Sequence, residues 1–181
     1  MTNPVELVAL RCLRCSTPLP AAPDEVAWAC AQCGQGLLLE EDRGLLHLAI
    51  HYSPAIKPGA TGRPFWVCTG HVFVERETYA GGSDRITGEM QDFWGEGRLF
   101  FIPAYAAPLE ALLEQALQLL QRPPDRQEGP PTAFAPVVLS PEDLTAAAEF
   151  IVLAVEAARK DKLRQARVKV VLESPSLWIL P

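Results

Sequence analysis

The chain has 181 residues, of which 49% are hydrophobic and 21% charged, and its 16 basic and 22 acidic residues leave a net charge of −6. This composition is typical of a globular protein and excludes a chain that is disordered throughout. No segment is apolar over enough residues to be predicted as a membrane span. The first residues lack the basic leader and unbroken apolar stretch of a signal peptide, so we expect a cytoplasmic protein.

Four of the five cysteines form two tight pairs, and this is the strongest functional pattern in the chain. Two residues separate Cys12 from Cys15 and two separate Cys30 from Cys33, with 14 residues between the pairs. A two-residue spacer lets one turn direct both sulfurs at one ion, and two such turns complete a tetrahedron. Gly34 directly follows the second pair and lets its turn close with backbone N–H groups directed at thiolate. The spacing therefore predicts a metal site formed by four thiolates.

The residues around the second pair predict a small sheet. The alternating run 26–29 enters the second turn as a strand, and the apolar run 37–39 is followed by a turn and a further strand over 45–50. With these features, residues 12–50 resemble the zinc-ribbon superfamily, whose members hold one structural zinc between two cysteine turns on a three-stranded sheet. The resemblance implies one structural Zn²⁺ bound by Cys12, Cys15, Cys30 and Cys33, and it implies nothing about a substrate.

Two other chemistries stay open for the same cysteines: a thiol–disulfide redox pair, and iron or an iron–sulfur centre. Redox pairs of the thioredoxin type follow a strand and open a helix, whereas these pairs lie in turns, which favours a metal. Four thiolates leave no open position for water, so we expect the metal to stabilise the fold and not to catalyse a reaction. His47 and His51 lie too far along the chain to complete a finger-type site and are interpreted as ordinary strand residues.

The chain is predicted to divide into a zinc ribbon at 1–55 and an α+β domain at 56–181, joined by a stretch rich in proline and glycine. The second domain begins with an antiparallel meander over 64–104. Its strands are predicted at 64–76, 85–91 and 98–103 because these runs are rich in β-branched and aromatic residues and have short connections.

Within the meander, adjacent aromatic residues such as Phe65 and Trp66 are predicted to send one ring to each face of the sheet. Both faces then need a cover, and the rings are either core or an exposed interaction surface. Cys68 and His71 fall on opposite faces by the same alternation, so they do not form a metal pair, and Cys68 is predicted to be a buried structural residue.

The last part of the chain is predicted to contain two helices, at about 108–122 and 141–164, and a C-terminal strand at 167–173. Ser140 with the following proline and acidic residues is typical of a capped helix start. Residues 122–136 contain five prolines and predict an exposed loop. The basic residues between 159 and 169 are predicted to lie at the end of the second helix, where cations favour the helix dipole.

No hydrolase elbow, phosphate loop or dinucleotide fingerprint is present, and no catalytic or cofactor-binding residue is predicted. Residues 1–43 carry three basic and six acidic residues, which disfavours nucleic-acid binding through the ribbon. We therefore expect an α+β zinc-ribbon protein that acts without catalysis in protein–protein interaction, as an adaptor or assembly subunit, with a protein partner or as a homo-oligomer. Nucleic-acid binding is the first alternative, and a thiol redox protein or an enzyme is the second.

Overall fold

The computed structural model describes residues 10–78, 92–159 and 163–181 of the chain. It contains a three-stranded antiparallel sheet near the cysteine pairs, a mixed five-stranded sheet, and helices that lie in sequence between strands of the large sheet. The predicted α+β fold class is confirmed.

The small sheet is formed by β1 (Ala27–Ala29), β2 (Gly36–Glu40) and β3 (Gly44–Leu48), in that order. Gly44 has a φ of 72°, which permits the tight turn between β2 and β3. The strand predicted over 45–50 ends at Leu48, and the next strand, β4 (Ile50–Tyr52), belongs to the large sheet. The chain therefore passes from one sheet to the other at Ala49.

The large sheet is built around β5 (Arg63–Thr78), a strand of 16 residues. Its first half pairs with β6 (Arg98–Pro103) on one side and with β8 (Ser176–Leu180) on the other, and its second half pairs with β7 (Leu163–Leu172). Because β7 and β8 pair with successive parts of β5 on the same side, they form one long strand that is interrupted at 173–175.

Two features of this sheet differ from the predicted meander. The sheet is mixed because β4 pairs in parallel with β8, whereas only antiparallel pairing is predicted from the short connections. In addition, β5 and β6 pair directly over Phe65–Gly70, which leaves no place for a strand between them. The strand predicted over 85–91 lies outside the described residues.

The sheet carries a hydrophobic core on each face. Trp66 and Phe100 belong to the larger core, whereas Phe65 and Phe101 belong to a smaller core on the opposite face. Each of the four is at most 1% exposed. The predicted alternation of the rings is confirmed, and these aromatic residues are core and not an interaction surface.

Two helices follow β6 in sequence. α1 spans Leu109–Gln121 and buries Ala116 and Leu120. The second helical segment begins with a 3₁₀ turn, Pro141–Asp143, capped by the Ser140 side chain, and continues as α2 (Leu144–Ala157). No helix in the described ranges is long and apolar enough to cross a membrane.

The predicted end of the second helix at 164 is wrong, because the helix ends at Ala157 and β7 begins at Leu163. Within β7, Val168 and Val170 pack inward while Arg167 and Lys169 face outward, which is the two-residue period of a strand. The described cations after Arg159 therefore lie on a strand and not at a helix end: Arg164, Arg167 and Lys169. Residues 160 and 162 lie outside the described residues.

The predicted loop over 122–136 forms backbone hydrogen bonds with the segments beside it. The N–H of Gly129 donates to the carbonyl of Tyr52 at 2.6 Å, and the N–H of Ala135 donates to the carbonyl of Gly62 at 2.9 Å. Next to this loop, Val137 is fully buried and bridges to Ala27 of the small sheet. The division into domains at residue 55 stays a prediction, although β4 on its N-terminal side belongs to the large sheet by pairing.

Candidate metal centre

The two cysteine pairs lie in turns with the same backbone pattern. In the first turn the N–H of Ser16 donates to the carbonyl of Cys12 at 2.9 Å, and in the second the N–H of Gly34 donates to the carbonyl of Cys30 at 2.8 Å. Each turn is closed by a second bond, from Cys12 N–H to the carbonyl of Thr17 at 2.9 Å and from Cys30 N–H to the carbonyl five residues later at 2.8 Å.

Both turns need a left-handed residue directly after the second cysteine. Gly34 has a φ of 70° and Ser16 has a φ of 59°. Glycine adopts this conformation freely, whereas serine does so at a cost, because its Cβ crowds the following carbonyl. The left-handed conformation can be predicted from the sequence at Gly34, because glycine favours a positive φ. It cannot be predicted at Ser16, because serine rarely adopts one.

The four sulfurs meet at one point. Cys12 Sγ lies 3.6 Å from Cys33 Sγ, and Cys15 Sγ lies 3.5 Å from Cys30 Sγ. All four atoms lie within 4.8 Å of one another. Zinc–sulfur bonds of about 2.3 Å in a tetrahedron place the sulfurs about 3.8 Å apart, so the cluster has the size of a single four-thiolate site. The four cysteines are therefore placed to bind a metal ion, as in a zinc-binding knot.

Hydrogen bonds and burial act unequally on the thiols. The Thr17 hydroxyl, 3.2 Å from Cys15 Sγ, and the Thr17 backbone N–H lower the pKa of Cys15 to about 6. The Gln35 backbone N–H lowers the pKa of Cys33, but burial and the neighbouring sulfurs outweigh it and raise that pKa to about 12. Four thiolates this close repel one another, and a divalent cation among them would favour the charged form of each.

The cluster is attached to the fold through β2. Leu37 is fully buried against Cys12 and Cys30, whereas its neighbour Leu38 points to the opposite face and joins the larger core of the large sheet. Leu39 N–H also donates to the carbonyl of Val26 at 2.8 Å, which extends the β1–β2 pairing by one residue beyond the end of β1. One strand therefore links the packing around the sulfurs to the main core.

The other residues weighed as candidate ligands do not form a site together. Cys68 is buried in the larger core, and His71 lies on the opposite face of β5, where its side chain is 53% exposed. His47 is exposed on β3, and His51 stacks on Trp178 with ring centroids 4.8 Å apart. The structure bears out the prediction that the cysteine and histidine of β5 lie on opposite faces.

One cluster was not predicted from the sequence. Glu156 on α2 is fully buried, accepts a hydrogen bond from Trp94 Nε1 at 2.8 Å and pairs with Arg159 Nε at 2.9 Å. Arg76 Nε from β5 lies 3.3 Å from the same carboxylate. The apolar stripe of the helix indicates that position 156 faces inward, but only the fold brings in the partners that make a buried carboxylate tolerable.

Comparison with known proteins adds no relative: no protein-family model matches the chain, nor does any curated protein or solved structure. The zinc-ribbon resemblance therefore rests on the four clustered cysteines and the sheet beside them, and membership in that superfamily stays a prediction.

Proposed function

We propose that the protein binds one structural Zn²⁺ through Cys12, Cys15, Cys30 and Cys33 and acts without catalysis in protein–protein interaction, as an adaptor or assembly subunit. The observation that carries the metal assignment is the closed set of four sulfurs within 4.8 Å of one another. A tetrahedral ion held by four thiolates has no open position for water or substrate, so the metal would contribute to folding and rigidity.

Zinc is favoured over a redox role for these thiols by three properties of the cluster. The sulfur separations of 3.5 and 3.6 Å are close to the edge of a zinc–thiolate tetrahedron and well above the 2.05 Å of a disulfide. The backbone N–H of Arg14 lies 3.4 Å from Cys12 Sγ, as expected for a donor that stabilises a metal-bound thiolate. Both cysteine pairs lie in turns and neither opens a helix.

A role in protein–protein interaction is supported by apolar side chains that the fold leaves in solvent. Leu109 on α1 is 64% exposed and Phe150 on α2 is 44% exposed.

The cations of β7 favour a nucleic-acid partner less than their number suggests. Arg167 lies opposite Glu75 in the β5–β7 pairing, and Arg164 lies 4.0 Å from Glu77, so acidic neighbours reduce the positive potential there.

A native mass spectrum of the full chain, purified gently from its own cells, tests this proposal. One zinc per chain together with a retained protein partner, or with a homo-oligomer, is the expected result. A metal-free monomer with reactive thiols would favour redox chemistry instead. Co-purifying nucleic acid would favour a nucleic-acid-binding protein.

Two variants check the metal ligands in the same spectrum. Cys30→Ser removes a cluster thiol and should abolish the zinc mass, because three thiolates hold the ion far more weakly. Cys68→Ala removes a buried thiol outside the cluster and should leave one zinc per chain. Equal zinc content in the two variants would refute the four-cysteine site.

A further inference from the structure

An apolar groove of about 250 Å³ separates α1 from α2. Leu109, Leu112 and Ala116 line it from α1, and Ala147 and Phe150 line it from α2. The remaining lining residues are also apolar, so the groove offers no side-chain donor, acceptor or charge to orient a polar ligand. Leu109 and Phe150 are the large hydrophobic residues that lie most exposed on these two helices.

The size and lining of the groove suit apolar side chains of a polypeptide better than a small molecule. Ligand pockets are typically larger, about 300–1,000 Å³, and contain a few placed polar groups. Along α1 the lining residues run from Leu109 to Ala116, a distance of about 10 Å at 1.5 Å per residue. Anchors at i, i+3 or i+4, and i+7 of a partner helix span the same distance, which is the helix-in-groove mode of recognition.

The charges beside the groove are all negative on the two helices that form its walls. Neither α1 nor α2 contains lysine or arginine. Glu110 and Glu114 are exposed on α1, one turn apart, and Glu110 neighbours the groove residue Leu113. Asp143, exposed at the start of α2, lies one turn before Ala147. A partner that covers the groove therefore gains from positive charge at the edges of its contact surface.

From this juxtaposition we propose that the α1–α2 groove binds an amphipathic helix of another protein, with apolar anchors along one face and lysine or arginine beside them. The inference rests on the proposed interaction function and names the surface and the class of partner. A second copy of the chain is a poorer occupant, because a symmetric contact would bring two acidic rims together in a protein whose net charge is already −6.

A displayed library of random 16-residue peptides, selected on the immobilised zinc-loaded chain, supplies a defined probe. The enriched peptides should be net positive, with apolar residues at helical spacing, and should gain helicity on binding. The affinity of the best peptide is then measured by fluorescence anisotropy at two salt concentrations. Binding should weaken as salt rises, because charges at the rim of an interface are screened.

Matched variants locate the site. Leu109→Ser and Phe150→Ser should each weaken the peptide at least about ten-fold, the loss expected for a central apolar anchor. Phe73→Ser, the same change at a phenylalanine that is 60% exposed on the opposite face of the large sheet, should leave affinity unchanged. The double variant Glu110→Gln/Glu114→Gln should weaken binding and flatten its salt dependence, whereas Glu75→Gln/Glu77→Gln should do neither.

The inference is overturned if no peptide is enriched, if the enriched peptides are acidic, or if they bind Leu109→Ser and Phe150→Ser as tightly as the unaltered chain. A dimer in light scattering that Phe150→Ser converts to monomer would overturn it in favour of a second copy. Any of these results would leave the broader interaction function standing if the native mass spectrum still shows a retained partner. Failure of both experiments would remove the interaction function itself.

Discussion

The matching backbone conformation of the two cysteine turns leads us to expect that Ser16→Gly raises the free energy of unfolding, which the sequence alone does not suggest. Ser16 occupies the same left-handed position in its turn as Gly34 in the other, with φ values of 59° and 70°. A left-handed conformation costs a residue with a Cβ about 1–2 kcal/mol, and glycine avoids this cost. Glycine also makes the unfolded chain more flexible, which offsets about 0.5–1 kcal/mol of the gain in folding free energy. The Ser16 side chain is exposed, so its removal sacrifices no packing. The expected net gain is about 0.5–1 kcal/mol.

The reciprocal variant, Gly34→Ala, should cost about the same amount. A Cβ at position 34 meets no atom within 4 Å, so the cost would come from backbone conformation and not from a clash. For a chain of this length, the two variants should shift the melting temperature by about 2–3 °C in opposite directions. Because both turns carry ligands, the apparent zinc affinity should rise about two- to five-fold in one variant and fall by a similar factor in the other.

Gly44→Ala is the matched control for this pair. Gly44 also has a positive φ, 72°, and open space around its Cβ, but it lies in the β2–β3 turn away from the sulfurs. It should lower the melting temperature, measured by calorimetry, and leave the zinc affinity, measured by competition with a chromogenic chelator, unchanged. If Ser16→Gly destabilises the zinc-loaded protein, or Gly34→Ala has no effect, the two turns are not equivalent and the reasoning fails.

Three further predictions follow from the cluster and the core. A thiol reagent should count no thiol in the native zinc-loaded chain, four after chelation and five after unfolding, since Cys68 is 3% exposed and lies outside the cluster; a count of five after chelation alone would contradict the placement of Cys68 in the core. Glu156→Gln should cost about 3 kcal/mol in urea unfolding because it leaves two partly buried arginines, Arg76 and Arg159, facing an uncharged amide, whereas Glu149→Gln on the same helix should cost about 1 kcal/mol or less; equal costs would show that the ion pairs of Glu156 are not what position 156 contributes. Burial, and after it the charge of Glu173, raises the pKa of the Cys68 thiol from 9.0 to about 11. The unfolded state therefore ionises first, and stability that is present below about pH 9 should be lost progressively toward pH 11, more steeply in the unaltered chain than in Cys68→Ala, and parallel curves for the two would refute it.

Local patterns were enough for the parts of the fold whose partners are close in sequence. Two residues between paired cysteines set the direction of both sulfurs within one turn, and the small sheet follows because its strands are joined by short turns. The apolar residues of α1 recur at helical spacing, and this pattern predicts the helix without knowledge of the segments that pack against it. The alternation of Phe65 and Trp66 follows from strand geometry alone, because successive side chains of a strand point to opposite faces.

The features that the sequence did not reveal depend on partners far apart in the chain. Residues 163–164 continue a helical charge pattern in the sequence. In the structure they belong to β7, which pairs with β5 about 85 residues earlier in the chain. The backbone groups of β5 offer hydrogen bonds to β7 that a longer helix would leave unused. In the same way, β4 is distinguished from the end of a hairpin only by its parallel pairing with β8.

The sequence by itself therefore determined the four-thiolate constellation, the α+β class and the alternation of the aromatic residues, because each can be recognised from the spacing of cysteines or from the local periodicity of apolar residues. Tertiary structure alone decided the mixed sheet, the burial of Glu156 beside Arg76 and the apolar groove between α1 and α2. Each of these arises where distant segments meet, and a local pattern carries no information on which distant backbone, charge or apolar face it will meet.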